Sequence, residues 1–141
     1  MMLNRHEKLA IFKLSLVVAG VLLFLLIWQT MGITKAYAGF AVFGFLGLGH
    51  LIFLRKKSPT EVIEDERDTL IKLKSYSGGY YSAMAYFILT SMAVYFSLPE
   101  GGVISVDLFP VFVWVGWAVS VLASSIIILV QYRKGANCGI C

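Results

Sequence analysis

Few residues in this chain combine a reactive side chain with a spacing that could support chemistry. Cys138-Gly139-Ile140-Cys141 is a C-x-x-C pair at the C-terminal end. Such a dithiol can cycle to a disulfide or supply two of the four ligands of a zinc ion. The redox version needs a helix N-terminus to lower a thiol pKa, and these cysteines lie beyond the last residue that could start one. A zinc site needs two further ligands, and the only histidines are His6 and His50, so a metal would draw on a second chain or on His6. The expectation is an inert or palmitoylated tail, with no metal and no cofactor. His50, near one end of an apolar block, has the chemistry of a proton relay, although a lone histidine there more often bonds a backbone carbonyl or a tyrosine hydroxyl. Ser82, Tyr86 and Thr90 recur every four residues and give a later block a polar stripe. Such hydroxyls bond a neighbouring helix or their own backbone unless they line a pathway. There is no Ser-His-Asp spacing, phosphate loop or H-E-x-x-H. No carboxylate sits mid-block, as proton-coupled small multidrug transporters require. The chain does not read as an enzyme.

The elements that carry these residues are apolar. Of 141 residues, 59% are hydrophobic and 14% charged, against roughly 25% charged in a soluble domain. The apolar residues fall in four blocks, at about 9–29, 36–54, 76–98 and 108–132. Three of them run about 19 or more residues without a formal charge, which matches a bilayer core of about 30 Å. Lys13 sits one turn inside the first block, where its stem can follow the helix and its ammonium reach the headgroups. A signal peptide ending at Ala36-Tyr37-Ala38 competes with a first span, but the apolar run is longer than a signal core and another span begins at once. The net charge of +4 comes from cations that flank the blocks and form no separate basic face, which argues against a nucleic-acid interface.

The one long polar segment is 58–75, which holds five of the eight acidic residues. Ser58, Pro59 and Glu61 read as the N-cap, N1 and N3 of a capping box opening a helix over about 59–75. Val62, Ile63, Thr69, Leu70 and Leu73 share one face of it, with Glu66 near the middle and Ile71 on the opposite side. Packing that face would bury Glu66 against a cation such as Lys13, Arg55 or Arg133; the other reading has the helix at the membrane surface with Glu66 in water. Gly78-Gly79 marks a hinge between this helix and the third block.

With both termini in the cytoplasm, eleven of the twelve Lys and Arg residues stay inside, Lys35 being the exception. The short connections at about 30–35 and 99–107 call for antiparallel neighbours. The fold class is therefore all-α, an integral membrane four-helix up-down bundle with a cytoplasmic amphipathic helix leading into span three. Residues 1–135 form the membrane domain and 136–141 a short tail. Ala41, Gly44 and Gly47 recur every three residues, and Gly116, Ser120 and Ser124 every four. Either face suits a homo-oligomer contact or a close neighbour within the chain.

Asp65-Glu66-Arg67-Asp68, followed by Ile71 and a third span, resembles a group of small prokaryotic membrane proteins, uncharacterised four-span chains with a D-E-R motif after the second span. Tyr132-Arg133-Lys134-Gly135 is similar to their usual end. The resemblance implies a multi-pass cell-membrane protein and carries no activity. Some members are encoded beside helix-turn-helix regulators, which points to signalling. The cysteine-containing tail departs from their pattern.

These readings favour a binding or regulatory membrane protein whose partners are the bilayer and a cytoplasmic protein. The contact would be made by Asp65, Glu66, Arg67, Leu70 and Leu73. The alternative is a small oligomeric transporter or channel using the glycine face, His50 and the Ser82–Tyr86–Thr90 stripe.

Overall fold

The computed structural model describes residues 5–53, 65–99 and 102–137, with the backbone alone for His50 and residues 135–137. The described residues are helical and contain no strand. Helix α1 spans Arg5–Met31. Helix α2, Ile33–Phe53, is composite: an α turn at Ile33–Ala36, a 3-10 stretch at Tyr37–Phe45 and an α-helical end at Leu46–Phe53. Helix α3 runs Glu66–Ser97. A 3-10 turn at Val106–Leu108 leads into helix α4, Phe109–Asn137. Arg5–Met31, Ile33–Phe53 and Val106–Lys134 are long and apolar enough to cross a membrane. Helix α3 is not among these three: its first turns are charged, and its apolar part is diluted by Tyr, Ser and Gly.

Only Gly32 separates α1 from α2. Its φ of 86° lies where side-chain-bearing residues are strained. Its N–H donates to the Trp28 carbonyl at 3.1 Å and its own carbonyl accepts from Ala36 N–H at 3.2 Å, so it closes the last bond of α1 and opens the first of α2. Ala36, of the A-x-A triplet, is buried in helical backbone.

The 3-10 stretch has nine residues, more than the three or four usual for this helix. Its side chains repeat every three residues, and burial follows that period: Ala36, Gly39 with Phe40, Phe43, Leu46 and Gly49 face inward, while Ala41, Gly44 and Gly47 face outward. A rise of about 2 Å per residue over this stretch lengthens α2 to about 36 Å, close to the roughly 40 Å of the longer α1. Glycine makes the contact possible. A Cβ on Gly39 would lie 2.6 Å from the Phe24 backbone nitrogen, and one on Gly20 would lie 2.7 Å from the Phe43 ring.

The same close approaches fix the register. Gly20 meets Phe43, Gly39 meets Phe24, and Gly49 meets Phe12, so α1 and α2 run antiparallel. Gly116 meets Phe87, Gly79 meets Ser120 and Ser124, and Gly78 meets Ile127, so α3 and α4 do too. Helix α1 packs on α4 between these pairs. An aromatic column joins three helices: Phe24 stacks on Phe40 at 4.7 Å, Phe40 on Trp114 at 5.4 Å, and Phe43 meets Trp117 edge-on at 5.1 Å. Beside it, the Tyr37 hydroxyl donates to the Asp107 carbonyl. Val17, Ala36, Leu46 and Ala118 complete the core.

Two expectations about the polar segment are corrected. Helix α3 begins at Glu66, because Asp65 has extended backbone (φ −98°, ψ 178°) and is its N-cap. One continuous helix over 59–75 is therefore interrupted at Asp65; Ser58, Pro59, Glu61, Val62 and Ile63 lie outside the described residues. Gly78-Gly79 is not a hinge. The helix passes through both unbroken, and both are points of close approach to α4.

Candidate functional site

Twelve of the fourteen described Lys, Arg, Asp and Glu side chains lie at the bundle end that carries Arg5 and Tyr132; Lys35 and Asp107 lie at the other. The best-organised group at the charged end starts from the cap of α3. The Asp65 carboxylate accepts from Asp68 N–H at 2.7 Å, and the Asp68 carboxylate accepts from Asp65 N–H at 3.4 Å. The box satisfies donors that a helix start leaves open. Asp68 also accepts a hydrogen bond from the Tyr132 hydroxyl of α4. The His6 ring of α1 stacks on Tyr132 with centroids 6.1 Å apart and planes within 7°. His6 Nε2 lies 4.0 Å from Asp68, an electrostatic approach beyond hydrogen-bond reach. The Tyr132–Asp68 hydrogen bond thus ties α3 to α4, and the His6 stack on Tyr132 brings α1 against both.

Beneath this clasp is a cavity of about 30 Å³ bounded by His6, Lys13, Lys72, Ser75, Ser124 and Ser125 among others. That is room for one or two waters. Ser75 and Ser124 donate to backbone carbonyls one turn back, at 2.7 and 2.8 Å. The buried Ser125 hydroxyl and His6 Nε2 have no hydrogen-bond partner among the described residues. A water-sized space edged by two such atoms is the ordinary setting of a structural water.

The residues singled out from sequence separate into two faces of α3. Asp68, Ile71, Ser75, Gly78, Gly79, Ser82, Tyr86, Thr90 and Val94 form the buried and half-buried stripe. The Thr90 hydroxyl donates to the Tyr86 carbonyl at 2.7 Å, as an unpaired threonine in an apolar helix does. Glu66, Arg67, Leu70 and Leu73 lie outside that stripe. Leu70 is 58% exposed and Leu73 65%, and no described residue pairs with Glu66. The burial of Glu66 against Lys13 or Arg133 is therefore corrected. Lys13 borders the cavity beside Lys72, Arg133 is exposed, and Arg55 lies outside the described residues. Asp65 is committed to the cap.

Gly116, Ser120 and Ser124 face α3 within the chain, whereas a Cβ on Gly44 or Gly47 would meet nothing within 4 Å. The His50 side chain, Cys138 and Cys141 lie outside the described residues. Among those described, no three His, Cys, Asp or Glu side chains converge as metal ligands.

His6, Asp68 and Tyr132 were not recognised from sequence as a group. A signal for Asp68 existed. Continuing the Ser82–Tyr86–Thr90 stripe backward in steps of three and four passes through Gly78 or Gly79, Ser75 and Ile71 and ends on Asp68. His6 and Tyr132 carry no comparable signal, because only the packing of three helices brings them together. No protein-family model, curated protein or solved structure matches this chain.

Proposed function

We propose that this chain is a four-span cell-membrane protein that binds a cytoplasmic protein partner through the Glu66 end of α3, and that its role is regulatory. The carrying observation is the outward pair Leu70 and Leu73 beside Glu66 and Arg67. These leucines lie among charged residues that sit at or above headgroup level, where lipid tails do not cover them, so an apolar patch there suits a protein contact.

The membrane arrangement has its own support. In α3 the inward stripe is small and polar, while Ile88, Leu89, Met92, Tyr95 and Phe96 point outward and stay exposed. Polar residues inside and apolar residues outside suit a helix surrounded by lipid, since lipid supplies no hydrophobic drive for packing. This distribution favours α3 as the fourth span of an up-down bundle despite its modest mean hydropathy. The gathering of cations at the Arg5 end favours that end as cytoplasmic, with both termini inside. The D-E-R segment of the resemblance falls at the proposed contact: Asp65 caps the helix, while Glu66 and Arg67 remain outward.

A photo-crosslinking residue in place of Leu73, activated in membranes, is expected to give a discrete adduct with another protein, and the charge reversal Glu66→Lys is expected to remove it. The same residue in place of Leu89 is expected to label lipid. Labelling of lipid alone at Leu73 would end the partner reading. A small oligomeric transporter or channel is the second reading, supported by the open face of Ala41, Gly44 and Gly47, which would let a second copy approach closely. A self-adduct from position Gly44 is the result that would favour it.

A further inference from the structure

A second surface at the charged end lies between α3 and α4. It is a groove of about 360 Å³ lined by Lys74, Ile126, Ile127, Val130, Gln131 and Lys134. Ile126, Val130 and Lys134 follow one another at intervals of four, so one face of α4 runs from hydrocarbon to ammonium. Gly78 helps to form the groove. A Cβ there would come within 2.1 Å of Ile127 Cδ1, so its absence lets Ile127 settle against α3. Lys74 stands one turn before Gly78, across from Lys134. Both lysines are exposed, neither pairs with a described residue, and no carboxylate lines the groove.

We infer that this groove binds one anionic glycerophospholipid, with the phosphate held between Lys74 and Lys134 and an acyl chain lying on Ile126, Ile127 and Val130. Two cations with no counter-anion among the described residues favour an anion at the mouth. The apolar floor leads away from them toward the middle of the helices, so the ligand has hydrocarbon joined to its anionic end. A free phosphate would leave that floor uncovered. The Gln131 amide offers a donor to a headgroup oxygen. The volume suits a headgroup and the first methylenes, with the rest of the lipid in the surrounding bilayer. This site requires the chain to be in a membrane but does not require Leu70 and Leu73 to meet a partner, so failed crosslinking at Leu73 leaves it standing.

The test is native mass spectrometry of the full chain in mild detergent, titrated with phosphatidylglycerol or with phosphatidylcholine of the same acyl chains. Wild type is expected to retain one phosphatidylglycerol per chain in preference to phosphatidylcholine. Each lysine near an anionic headgroup contributes about fivefold in affinity, so Lys74→Gln with Lys134→Gln is expected to weaken phosphatidylglycerol binding about 25-fold. The charge-matched control Lys8→Gln with Lys35→Gln is expected to bind like wild type, and Lys74→Arg with Lys134→Arg to restore most of the affinity. Equal retention of the two lipids, or equal loss in the control, would overturn the site. Displacement of the lipid by inorganic phosphate alone would overturn the lipid assignment in favour of a phosphate site.

Discussion

Asp68→Ala is expected to destabilise the protein by about 2 to 3 kcal/mol, and Glu66→Ala by no more than about 0.5 kcal/mol. Asp68 is mostly buried, closes the capping box of α3 and accepts the Tyr132 hydroxyl. Removing its carboxylate leaves that hydroxyl without its partner, next to the already unbonded His6 Nε2. Glu66 is exposed and pairs with no described residue, so its loss changes little. Tyr132→Phe is expected to cost about 1 to 2 kcal/mol. Combined with Asp68→Ala it should add much less than its own effect, because both changes break the same bond. The measurement is thermal unfolding in detergent of the four variants beside wild type. Equal effects of Asp68→Ala and Glu66→Ala would dissolve the clasp.

This contrast also shows where sequence reasoning about the polar segment stopped. The helical wheel grouped Glu66 with Leu70 and Leu73 correctly, but the packed side was chosen by hydrophobicity. Hydrophobicity selects the buried face of a helix in water; in a helix surrounded by lipid, small and polar residues mark the inner face instead. The clue was present in the next block, where Ser82, Tyr86 and Thr90 trace the inner stripe. Asp65 as the cap was equally legible, since an aspartate three residues before another acid is a capping-box pattern. Ser58-Pro59-Thr60-Glu61 is a fuller capping-box pattern seven residues earlier and competes with it in the sequence.

Gly39→Ala is expected to destabilise by about 3 kcal/mol, and Gly39→Leu to prevent folding. The added Cβ would strike the Phe24 backbone, which cannot rotate aside as a side chain can. Helices α1 and α2 would have to separate, loosening the Phe24–Phe40 stack and the column beyond it. Gly44→Ala is expected to be neutral or stabilising by up to about 1 kcal/mol, because its Cβ meets nothing and alanine restricts the unfolded chain. Opposite outcomes for two glycines five residues apart test the packing of α2 directly. Comparable losses at both would show that the Gly44 face is also covered, as in an oligomer. The period of three was visible in Ala41, Gly44 and Gly47. Read as α-helical it gives a drifting stripe; in a 3-10 helix it gives a straight one. Local composition did not announce that helix type, because the close approach to α1 is what Gly39 and Gly20 make possible.

The proposed function stands on α3 crossing the bilayer with its Glu66 end in the cytoplasm. With Cys138 and Cys141 replaced by serine, single cysteines at Ser105 and at Arg67 sample the two ends of that helix. In intact cells an impermeant thiol reagent is expected to label Ser105→Cys, and to label Arg67→Cys only after the membrane is opened. Labelling of both positions from outside would place the two ends of α3 on one side of the membrane. Labelling of Arg67→Cys alone would invert the chain and remove the proposed contact from the cytoplasm.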